Sequence, residues 1–371
     1  MTIRRQLVNI GSRNTDYRVG PGAFQELDRF VAGAVGRPKR AVLLTQAEEG
    51  DAVLELVRRA LVDAGFSVFP VAPPEGERAS SVRAAAAVLE ELERVGATAD
   101  DALIGLGDAR LCSLASFCAR VWCGGCACVL LPTTLDAMVS CATSMTMLDV
   151  GASREMASVE PFPAMVVCDT DLVLGEGVDA EACGLKLGLV EMLVGAMAGG
   201  RSTWARFGKA VPALRDGIAE AYVDELACAQ QTRRTVRGAS NPSARSALEY
   251  GSTTARALAA CLPAGTPGWQ LLAEGVRFES RLAVDAGKLE VDTVFEQDDR
   301  LEELGVPELA FSLDVDAFVA ALKDARFKRA NRFLIALPRH VGTIRLTSVD
   351  DDLLREHAEA YLASRAALVE G

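Results

Sequence analysis

The segment from Leu131 to Asp149 reads Leu-Pro-Thr-Thr-Leu-Asp-Ala-Met-Val-Ser-Cys-Ala-Thr-Ser-Met-Thr-Met-Leu-Asp. An apolar run from Ala127 to Leu131 stops at Pro132, two hydroxyl residues follow, and a small-residue segment leads to a second apolar run at Met145–Leu148. This order predicts a buried strand that ends in a polar turn. Because open α/β sheets bind ligands at the carboxyl ends of their strands, we expect the turn to lie at a functional site.

Strand and helix patterns alternate on the amino-terminal side of this segment. After a hairpin formed by Ile3–Ile10 and Tyr17–Val19, the predicted strands are Ala41–Thr45, Ser67–Val71 and Ala102–Leu106, and the predicted helices are Phe24–Ala34, Ala52–Ala64 and Val82–Val95. Alternation at this spacing predicts a parallel sheet with helices on its faces.

Helical spacing dominates the chain beyond Asp169. The predicted helices are Ala180–Met197, Trp204–Val211, Leu214–Arg234, Ala244–Cys261, Trp269–Ala286, Val315–Ala325 and Asp351–Leu368, with a strand pair at Phe333–Leu337 and Gly342–Leu346. The sequence therefore predicts two domains. The first, over residues 1–175, is an α/β nucleotide-binding-like domain with a Rossmann-like parallel sheet, and the second, over residues 176–371, is mainly α-helical.

Charge and cysteine usage limit the classes of partner and compartment. The 371 residues carry a formal net charge of −12, so the chain has no basic surplus with which to bind nucleic acid or an anionic membrane. The sequence shows no signal-peptide pattern and no run of 18 apolar residues, which favours a cytoplasmic protein. Its ten cysteines lie mostly within apolar runs, as expected for buried thiols in a reducing compartment.

Several short motifs resemble the 3-dehydroquinate synthase family of the sugar-phosphate cyclases. They begin with Pro132-Thr133-Thr134-Leu135 and Asp169-Thr170-Asp171, and they keep the order of the family. The other similar segments are Gly76-Glu77, Gly105-Leu106-Gly107, Leu114–Phe117, Gly188–Glu191, Arg245 with Gly251, Thr253 and Ala257, Leu304–Pro307, and Leu337-Pro338. The resemblance implies a two-domain fold and a homodimer.

The family converts a seven-carbon phosphorylated keto-acid sugar to 3-dehydroquinate in the shikimate pathway of aromatic amino acid biosynthesis. It uses NAD for a transient oxidation and a divalent metal, usually zinc, to polarise the reacting oxygens. By this resemblance the metal-binding glutamate is Glu191, while the two ligating histidines fall at Ser252 and at Gly268 or, with a one-residue slip, Trp269. A hydroxyl is a poor zinc ligand and glycine offers no side chain, so we expect zinc to be absent.

The second histidine of the family's double-histidine motif reads Arg256 in this chain. We hypothesise that the Arg256 guanidinium enters the vacated metal volume and pairs with Glu191, because a buried acid needs a counter-charge. A solvent-facing Glu191 is the alternative.

By this resemblance most catalytic residues of the family are replaced in this chain, whereas Arg245 is retained. The family-equivalent positions are Ser140, Thr146 and Val194, in place of an aspartate and two lysines, together with Arg245 and Arg256; a family arginine also reads Gly124. Losing these cations removes charge-assisted bonds to phosphate and carboxylate.

The cofactor positions are changed as well. The resemblance places NAD near Glu77, Gly105, Gly107, Asp108, Thr133 and Thr134, but Asp108 sets a carboxylate against the pyrophosphate. NAD is therefore a candidate cofactor, but the Asp108 carboxylate would repel its pyrophosphate. Alternatively, the glycines form only a tight turn, and the two threonines cap the following helix.

Four cations are candidates for a residual site for a small anionic molecule: Arg154, Arg245, Arg326 and Lys328. Other polar groups have simpler interpretations. We interpret Cys123, Cys126 and Cys128 as buried thiols rather than a zinc or redox site, Asp169 and Asp171 as a turn pair, and Arg233, Arg234 and Arg237 as a solvated helix face. The two histidines, His340 in a turn and His357 on a surface helix, lie far from the family's metal positions in sequence.

The hypothesis that follows is a 3-dehydroquinate synthase-like protein with a degenerate active site, inactive or strongly impaired as an enzyme. Two alternatives remain. One is a metal-free enzyme of altered chemistry on an anionic sugar-like substrate; the other is a non-catalytic regulatory or partner subunit of a true synthase.

Overall fold

A computed structural model gives the fold and describes residues 2–10, 13–35, 40–48, 50–74, 79–161, 163–327 and 330–370. The strands are β1 (Arg4–Ile10), β2 (Arg13–Gly20), β3 (Arg40–Thr45), β4 (Ser67–Val71), β5 (Ala102–Gly107), β6 (Ala127–Pro132), β7 (Thr146–Val150), β8 (Ser153–Val159), β9 (Met165–Asp169), β10 (Ile335–His340) and β11 (Thr343–Thr347).

The α-helices are α1 (Leu27–Val35), α2 (Ala52–Asp63), α3 (Val82–Arg94), α4 (Ala109–Val121), α5 (Leu135–Ser140), α6 (Asp171–Leu174), α7 (Leu185–Gly199), α8 (Arg201–Arg215), α9 (Ala219–Arg237), α10 (Pro242–Arg245), α11 (Ser252–Cys261), α12 (Gly268–Asp285), α13 (Val291–Glu303), α14 (Val315–Phe327) and α15 (Asp351–Glu370). Short 3₁₀ turns occupy Ala23–Glu26, Trp122–Gly124 and Ser246–Glu249. Within the described residues, no helix combines the length and the apolarity that crossing a bilayer requires.

The chain divides into two compact units, and the first comprises Met1–Leu185 and Ala219–Arg234. Its seven-stranded sheet has the order β1-β2-β9-β6-β5-β3-β4. The β1–β2 pair is antiparallel, and every other pairing in this sheet is parallel. Together with the mainly helical second unit, this sheet confirms the predicted fold class.

The apolar runs of the sequence become the buried centre of the first unit. Leu43, Ile104, Val129 and Val167, from four adjacent strands, are fully buried in one cluster with the side chains of α1 and α2. Such near-continuous apolar strands are typical of parallel sheets that are covered on both faces.

The sheet contains one reversal of strand order. From β3 the chain continues outward to the edge strand β4, whereas from β5 it continues inward to β6, although β3 and β5 are neighbours. Ligands in open α/β sheets bind outside the carboxyl ends of the strands at such a reversal. The topology thus directs attention to the loops that follow Thr45 and Gly107.

The second unit comprises Lys186–Ile218 and Thr235–Gly371 and is mainly helical. Phe278 lies at the centre of its core, with its ring edge-to-face against Phe318 at 5.4 Å and Tyr361 at 5.2 Å between centroids. A buried polar cluster lies alongside: Glu274 Oε1 accepts a bond from the Arg277 guanidinium at 3.1 Å, and Arg365 Nε lies 3.0 Å from Glu274 Oε2. Buried charges of this kind need partners to be tolerated.

Two features of this unit differ from the sequence prediction. The single helix predicted over Ala244–Cys261 is wrong, because the chain forms α10, a 3₁₀ turn and then α11. Gly251, between the turn and α11, has a φ of +82°, a left-handed conformation that interrupts a helix and that glycine adopts readily. The sequence reading also missed α13, whose Val291 and Phe295 are exposed and weaken its apolar pattern.

Candidate functional site

The turn after β6 joins the ends of two neighbouring strands. Thr133 N donates to Gly107 O at 2.9 Å, which holds the turn against the end of β5. Thr134 occupies the N-cap position of α5 with an extended backbone, but its side chain accepts no capping bond. The capping interpretation is therefore wrong for the Thr134 hydroxyl. That hydroxyl is buried beside the carboxyl of Asp136, whose pKa it lowers.

A pocket of about 470 Å³ lies at the carboxyl ends of β3, β5 and β6, within the first unit. Gly107, Asp108, Thr133 and Thr134 all line it, so the structure brings together four of the residues that the family resemblance assigned to a cofactor. Gly105 is not among the lining residues, and Glu77 lies outside the described residues.

The two glycines of this turn allow α4 to approach β5 closely. A Cβ added at Gly105 would lie 2.6 Å from Ala115 Cβ, and one added at Gly107 would lie 2.6 Å from Leu111 Cδ2. Real Cβ atoms do not approach heavy atoms so closely. The interpretation of these glycines as a tight, closely packed turn is therefore sufficient to explain them, with no cofactor required.

Carboxylates occupy the N-termini of α2 and α4, two of the helices that begin at the pocket. Asp108 Oδ1 accepts bonds from the amides of Arg110 at 3.1 Å and Leu111 at 2.9 Å at the start of α4. Asp51 Oδ1 likewise accepts from Val53 N and Leu54 N, both at 2.9 Å, at the start of α2. These amides are the groups that would otherwise hold a phosphate.

The lining of this pocket fits a dinucleotide pyrophosphate poorly. No lining residue in the described ranges is Lys, Arg or His, while Asp51, Asp108 and Asp179 are all present. An NAD pyrophosphate would meet negative charge and no compensating cation from these residues.

The pKa of Asp136, in the first turn of α5, shows the effect of the negative charge at this pocket. Burial raises the pKa of its carboxyl to about 6, the negative charge of Asp108 also raises it, and the Thr134 hydroxyl lowers it. Gly184, at a φ of +62°, comes so close that a Cβ there would overlap the Asp136 carboxylate. The sequence reading missed Asp136, Asp51 and Asp179; for Asp51, its place immediately before the predicted helix was the available signal.

The loop from Ser140 to Thr146 carries the two positions at which the family has an aspartate and a lysine. Ser140 Oγ donates to Asp136 O at 2.7 Å, and Thr146 Oγ1 donates to Ser116 Oγ at 3.0 Å. Both side chains therefore bond to the protein itself. Neither can supply the charge of the residue that it replaces.

A cation reaches this loop from another element. Arg233, in α9, donates to Thr143 Oγ1 at 3.2 Å and to Ser144 Oγ at 2.6 Å. Its exposure is only 5%, so the prediction of a solvated helix face is wrong for Arg233. Gln230, one turn earlier, donates to the carbonyls of Met138 and Val139 at 3.2 and 2.9 Å.

The three metal positions all lie in the second unit. Glu191 is in α7, Ser252 is the first residue of α11, and Gly268 is the first residue of α12. A Cβ added at Gly268 would have Leu187 Cδ2 as its nearest neighbour, at 4.0 Å. Across the described ranges, no group of three or more His, Cys, Asp or Glu side chains could hold a metal ion. These residues do not fit the nitrogen and carboxylate coordination that zinc requires.

A buried carboxyl that the sequence reading missed lies at the start of α11. Glu279, in α12, accepts bonds from Gly251 N at 2.7 Å, Thr254 N at 3.2 Å and Thr254 Oγ1 at 2.9 Å. Burial raises the pKa of Glu279 to about 8, whereas these bonds and the positive charge of Arg256 lower it. Arg256 thus lies near enough to lower the pKa of Glu279 through its charge. The predicted pairing of Arg256 with Glu191 stays a prediction.

The remaining family-equivalent positions contribute little recognisable chemistry. Val194 is a buried apolar residue of α7, and Arg154 is exposed on β8. Arg245 donates to Ala239 O at 3.4 Å, and Arg326 pairs with Glu249 at 3.2 Å. Lys328 lies outside the described residues. In the second unit, therefore, a carboxylate already balances Arg326.

Two of the three clustered cysteines are buried free thiols, as predicted. Cys126 and Cys128 are buried, and burial raises the pKa of Cys126 to about 11. Cys123 is exposed, so the buried interpretation is wrong for that residue. The predicted turn role of Asp169 is confirmed, because its carboxylate accepts bonds from Gly22 N, Phe24 N and Asp171 N.

His357 is not on a solvent-facing surface, contrary to the sequence interpretation. It lies in α15 with 5% exposure, its Nδ1 is 2.6 Å from Asp285 Oδ2, and its Nε2 is 3.1 Å from Phe278 O. His340 is the exposed last residue of β10.

Comparisons of the sequence with known proteins point to one family. Residues 70–178 match the model of the 3-dehydroquinate synthase N-terminal region. The 3-dehydroquinate synthase of Thermobifida fusca (strain YX) is 33% identical over 177 residues, covering 46% of this chain and 46% of that protein. The synthase of Caulobacter vibrioides is 29% identical over 193 residues, covering 51% and 52%. The chain therefore spans about half the length of the curated relatives that it matches.

Solved structures share the fold over nearly the whole chain. A 2-deoxy-scyllo-inosose synthase, complexed with carbaglucose-6-phosphate, NAD⁺ and Co²⁺, superposes with a TM-score of 0.80 at 14% identity, covering 96% of this chain and 100% of that one. The 2-epi-5-epi-valiolone synthase ValA from Streptomyces hygroscopicus subsp. jinggangensis 5008, with NAD⁺ and Zn²⁺ bound, gives 0.79 at 17% identity, covering 98% and 99%.

An iron-containing alcohol dehydrogenase from Thermococcus thioreducens is more distant, with a TM-score of 0.65 at 14% identity over 94% of this chain and 98% of that one. Likenesses at these identities establish the fold alone. Together with the sequence matches they confirm the resemblance: the chain is similar to 3-dehydroquinate synthases over about half of its length, and it shares its fold with the solved 2-deoxy-scyllo-inosose synthase and ValA.

Proposed function

We propose that this chain is a 3-dehydroquinate synthase-like protein that does not carry out zinc-dependent cyclisation at a useful rate. The observation that carries the proposal is the metal set itself. Of its three positions only Glu191 has a ligating side chain, Ser252 offers a neutral hydroxyl, and Gly268 offers none. One carboxylate cannot replace a three-ligand site, so the chain would lose both the ion and its polarisation of the reacting oxygens.

The substrate-binding positions support the same conclusion. Ser140 and Thr146 are neutral and bonded to neighbouring protein groups, and Val194 is apolar and buried. A hydrogen bond to a charged group contributes about 1.5 to 3 kcal/mol, so losing two such bonds alone would weaken binding by roughly two to four orders of magnitude. A phosphorylated keto-acid would therefore be both poorly held and poorly oriented.

The pocket at the ends of β3, β5 and β6 is a third reason to expect low activity, because it is poorly suited to binding NAD. The solved 2-deoxy-scyllo-inosose and valiolone synthases hold NAD⁺ together with Co²⁺ or Zn²⁺. NAD is therefore the candidate cofactor of this pocket, but the carboxylates of Asp51 and Asp108 occupy the N-termini of α2 and α4. If NAD binds, it does so without the backbone donors that a pyrophosphate would use there.

A direct assay tests this proposal. Purified chain is incubated with NAD⁺, ZnCl₂ and the seven-carbon phosphorylated keto-acid substrate, and released phosphate is followed alongside the metal content of the dialysed protein. The synthase of Thermobifida fusca serves as the active control. We expect background phosphate release and substoichiometric zinc. Zinc near one ion per chain, with phosphate release comparable to the control, would refute the proposal.

Homodimer formation, a cytoplasmic location and the role of a partner subunit stay predictions. Light scattering of the purified chain tests homodimer formation, and light scattering of the chain mixed with a genuine synthase tests the role of a partner subunit. The alternative of an enzyme acting on an anionic substrate has weaker support in the second unit, because Arg326 is already paired with Glu249.

A further inference from the structure

We propose that Cys112 and Cys141 form a reversible disulfide when the chain meets a hydroperoxide, and that this bond fixes the loop from Ser140 to Thr146 to α4. The inference concerns two side chains of the first unit. It goes beyond the proposed function, because it depends on neither zinc nor phosphate release.

One face of α4 lies along this loop. The helix packs against α5 and β7, the elements at the two ends of the loop. At the far end, Thr146 Oγ1 donates to Ser116 Oγ of α4 at 3.0 Å. Cys112 lies four residues before Ser116, on the same face of the helix, and shares a side-chain hydrogen bond with Cys141, the C-cap residue of α5. The two thiols are therefore already in contact in the folded chain.

Two further thiols lie near Cys141, on the neighbouring strands β6 and β9. Burial, together with the nearness of other thiols that include Cys141, raises the pKa of both Cys128 and Cys168. Cys168 shares its hydrogen bond with Tyr17 instead. Cys112 is thus the thiol that the geometry places against Cys141.

Solvent reaches the members of this cluster unequally. Cys141 is partly exposed, whereas Cys112, Cys128 and Cys168 are buried. The hydrogen bond with Cys141, followed by burial, raises the pKa of Cys112 well above its ordinary value, so Cys112 stays a protonated thiol. An oxidant from solvent should therefore react with Cys141 first.

The oxidation takes two balanced steps. The thiolate of Cys141 attacks one oxygen of hydrogen peroxide, so that an S–O bond forms, the O–O bond breaks, and the displaced hydroxide takes up the thiol proton as water. The sulfur of Cys112 then attacks the Cys141 sulfenic acid, an S–S bond forms, the S–O bond breaks, and a second water carries away the remaining proton. Two thiols lose two electrons to one peroxide, and a dithiol reductant reverses the change.

The disulfide would add a covalent bond to a loop that hydrogen bonds now hold. On its other side, the Arg233 guanidinium donates to Thr143 Oγ1 and Ser144 Oγ. The loop also carries Ser140 and Thr146, the positions at which the family resemblance places substrate-binding residues. Oxidation should therefore restrict the motion of this segment and thereby of both positions.

Thiol counting and peptide mapping test the inference on the full chain. A Cys123→Ser background removes the exposed thiol that would react on its own. The chain is treated with hydrogen peroxide, denatured, alkylated with N-ethylmaleimide and digested for mass spectrometry. Of the ten cysteines of the sequence nine remain in this background, and we expect the alkylated number to fall from nine to seven, with one linked peptide joining Cys112 to Cys141. Dithiothreitol should restore all nine.

Variants in the same background separate the two steps. In Cys112→Ala the sulfenic acid of Cys141 has no thiol to attack it, so its labelling by dimedone should rise at least about fivefold. Cys141→Ala, at a partly exposed position, should abolish the link even if Cys112→Ala does not fold. Cys261→Ala removes a partly exposed thiol of the second unit and is the matched control, in which the link should form as before. Thermal melting checks the fold of each variant.

Hydrogen exchange measures the effect on the loop. Amides of residues 140–146 should exchange at least about threefold more slowly in the oxidised chain than in the reduced chain, and dithiothreitol should reverse the change.

Four results would overturn the inference. These are no linked peptide after peroxide, a link from Cys141 to Cys128 or Cys168, dimedone labelling that Cys112→Ala leaves unchanged, or equal exchange of the loop in both redox states. None of these readouts involves zinc or phosphate release, so this inference and the proposed function fail separately.

Discussion

Arg233 Nη2 donates a 2.6 Å hydrogen bond to Ser144 Oγ and thereby brings a buried cation from α9 to the loop between α5 and β7. The same guanidinium reaches Thr143 Oγ1 through Nε at 3.2 Å. In the family resemblance this loop supplies its own charged residues, at the positions of Ser140 and Thr146. Here the loop itself is neutral, and the charge comes from a helix about 90 residues further along the chain.

Replacing this arginine should be costly, whereas replacing its neighbour should not. Arg233→Met keeps most of the side-chain length but leaves two hydroxyls without their donor, so we expect unfolding free energy to fall by about 1 to 3 kcal/mol. Arg234→Met, at a less buried position, should change it by no more than about 0.5 kcal/mol. Urea titrations followed by circular dichroism compare the two. Equal effects would show that the buried bonds of Arg233 contribute nothing measurable.

A second pair of variants tests the packing of α11 against α12. A Cβ at Gly275 would overlap the carbonyl oxygen of Gly251, so Gly275→Ala should lower stability by about 2 kcal/mol or more. Gly195, in α7, is the control: apart from its chain neighbours and the backbone of its own helix, no heavy atom of the described residues lies within 4 Å of its added Cβ. Gly195→Ala should raise stability by roughly 0.5 to 1 kcal/mol through helix propensity. Thermal melts of both variants would show shifts of opposite sign, and shifts of the same sign would contradict the packing argument.

The pattern of apolar residues was sufficient to predict those parts of the fold whose side chains are mostly buried. The strands at Leu43, Ile104 and Val129 are continuous apolar runs, and the segment before Pro132 ended where it was expected to end. Collinear motifs then predicted the family fold. Strand order was not accessible in this way, because pairing depends on contacts between distant segments that no local period encodes.

Side-chain environment was the less predictable part. Arg233 and Arg234 are adjacent in sequence, yet only Arg233 is fully buried, and nothing in their spacing distinguishes them. His357 has the spacing of an exposed helical residue but packs edge-on against Phe278 at 4.6 Å between centroids. The break at Gly251 was missed because alanines on both sides of it, at 244, 247, 255 and 257, continue a helical pattern. Tertiary contacts override local preference at each of these positions.

Restoring the missing ligands should restore metal binding if the scaffold still has the family's geometry. The double variant Ser252→His/Gly268→His adds two imidazoles to Glu191, and the space around Gly268 permits a side chain. We expect zinc content after dialysis to rise from near zero to about one ion per chain in the double variant, with either single variant well below it. Elemental analysis provides the measurement. A double variant that stays metal-free would mean that Arg256 or a shifted backbone, and not only ligand identity, prevents coordination.

The buried carboxyl of Glu279 should make stability fall as pH rises. Its pKa is about 8 in the folded chain against an ordinary value of 4.5, so between these values the folded state holds a proton that the unfolded state releases. The contribution of Glu279 to stability is therefore largest below pH 4.5, decreases by about 1.4 kcal/mol per pH unit through the window, and levels off above pH 8. Glu279→Gln removes this slope at the cost of a mismatched amide facing Gly251 N or Thr254 N. Unfolding free energies from pH 5 to 9 should diverge between this variant and the unaltered chain, whereas Glu356→Gln, at an exposed position of α15, should follow the unaltered chain. Parallel curves for all three proteins would mean that Glu279 is ionised in the folded state and that its three hydrogen bonds and Arg256 outweigh burial.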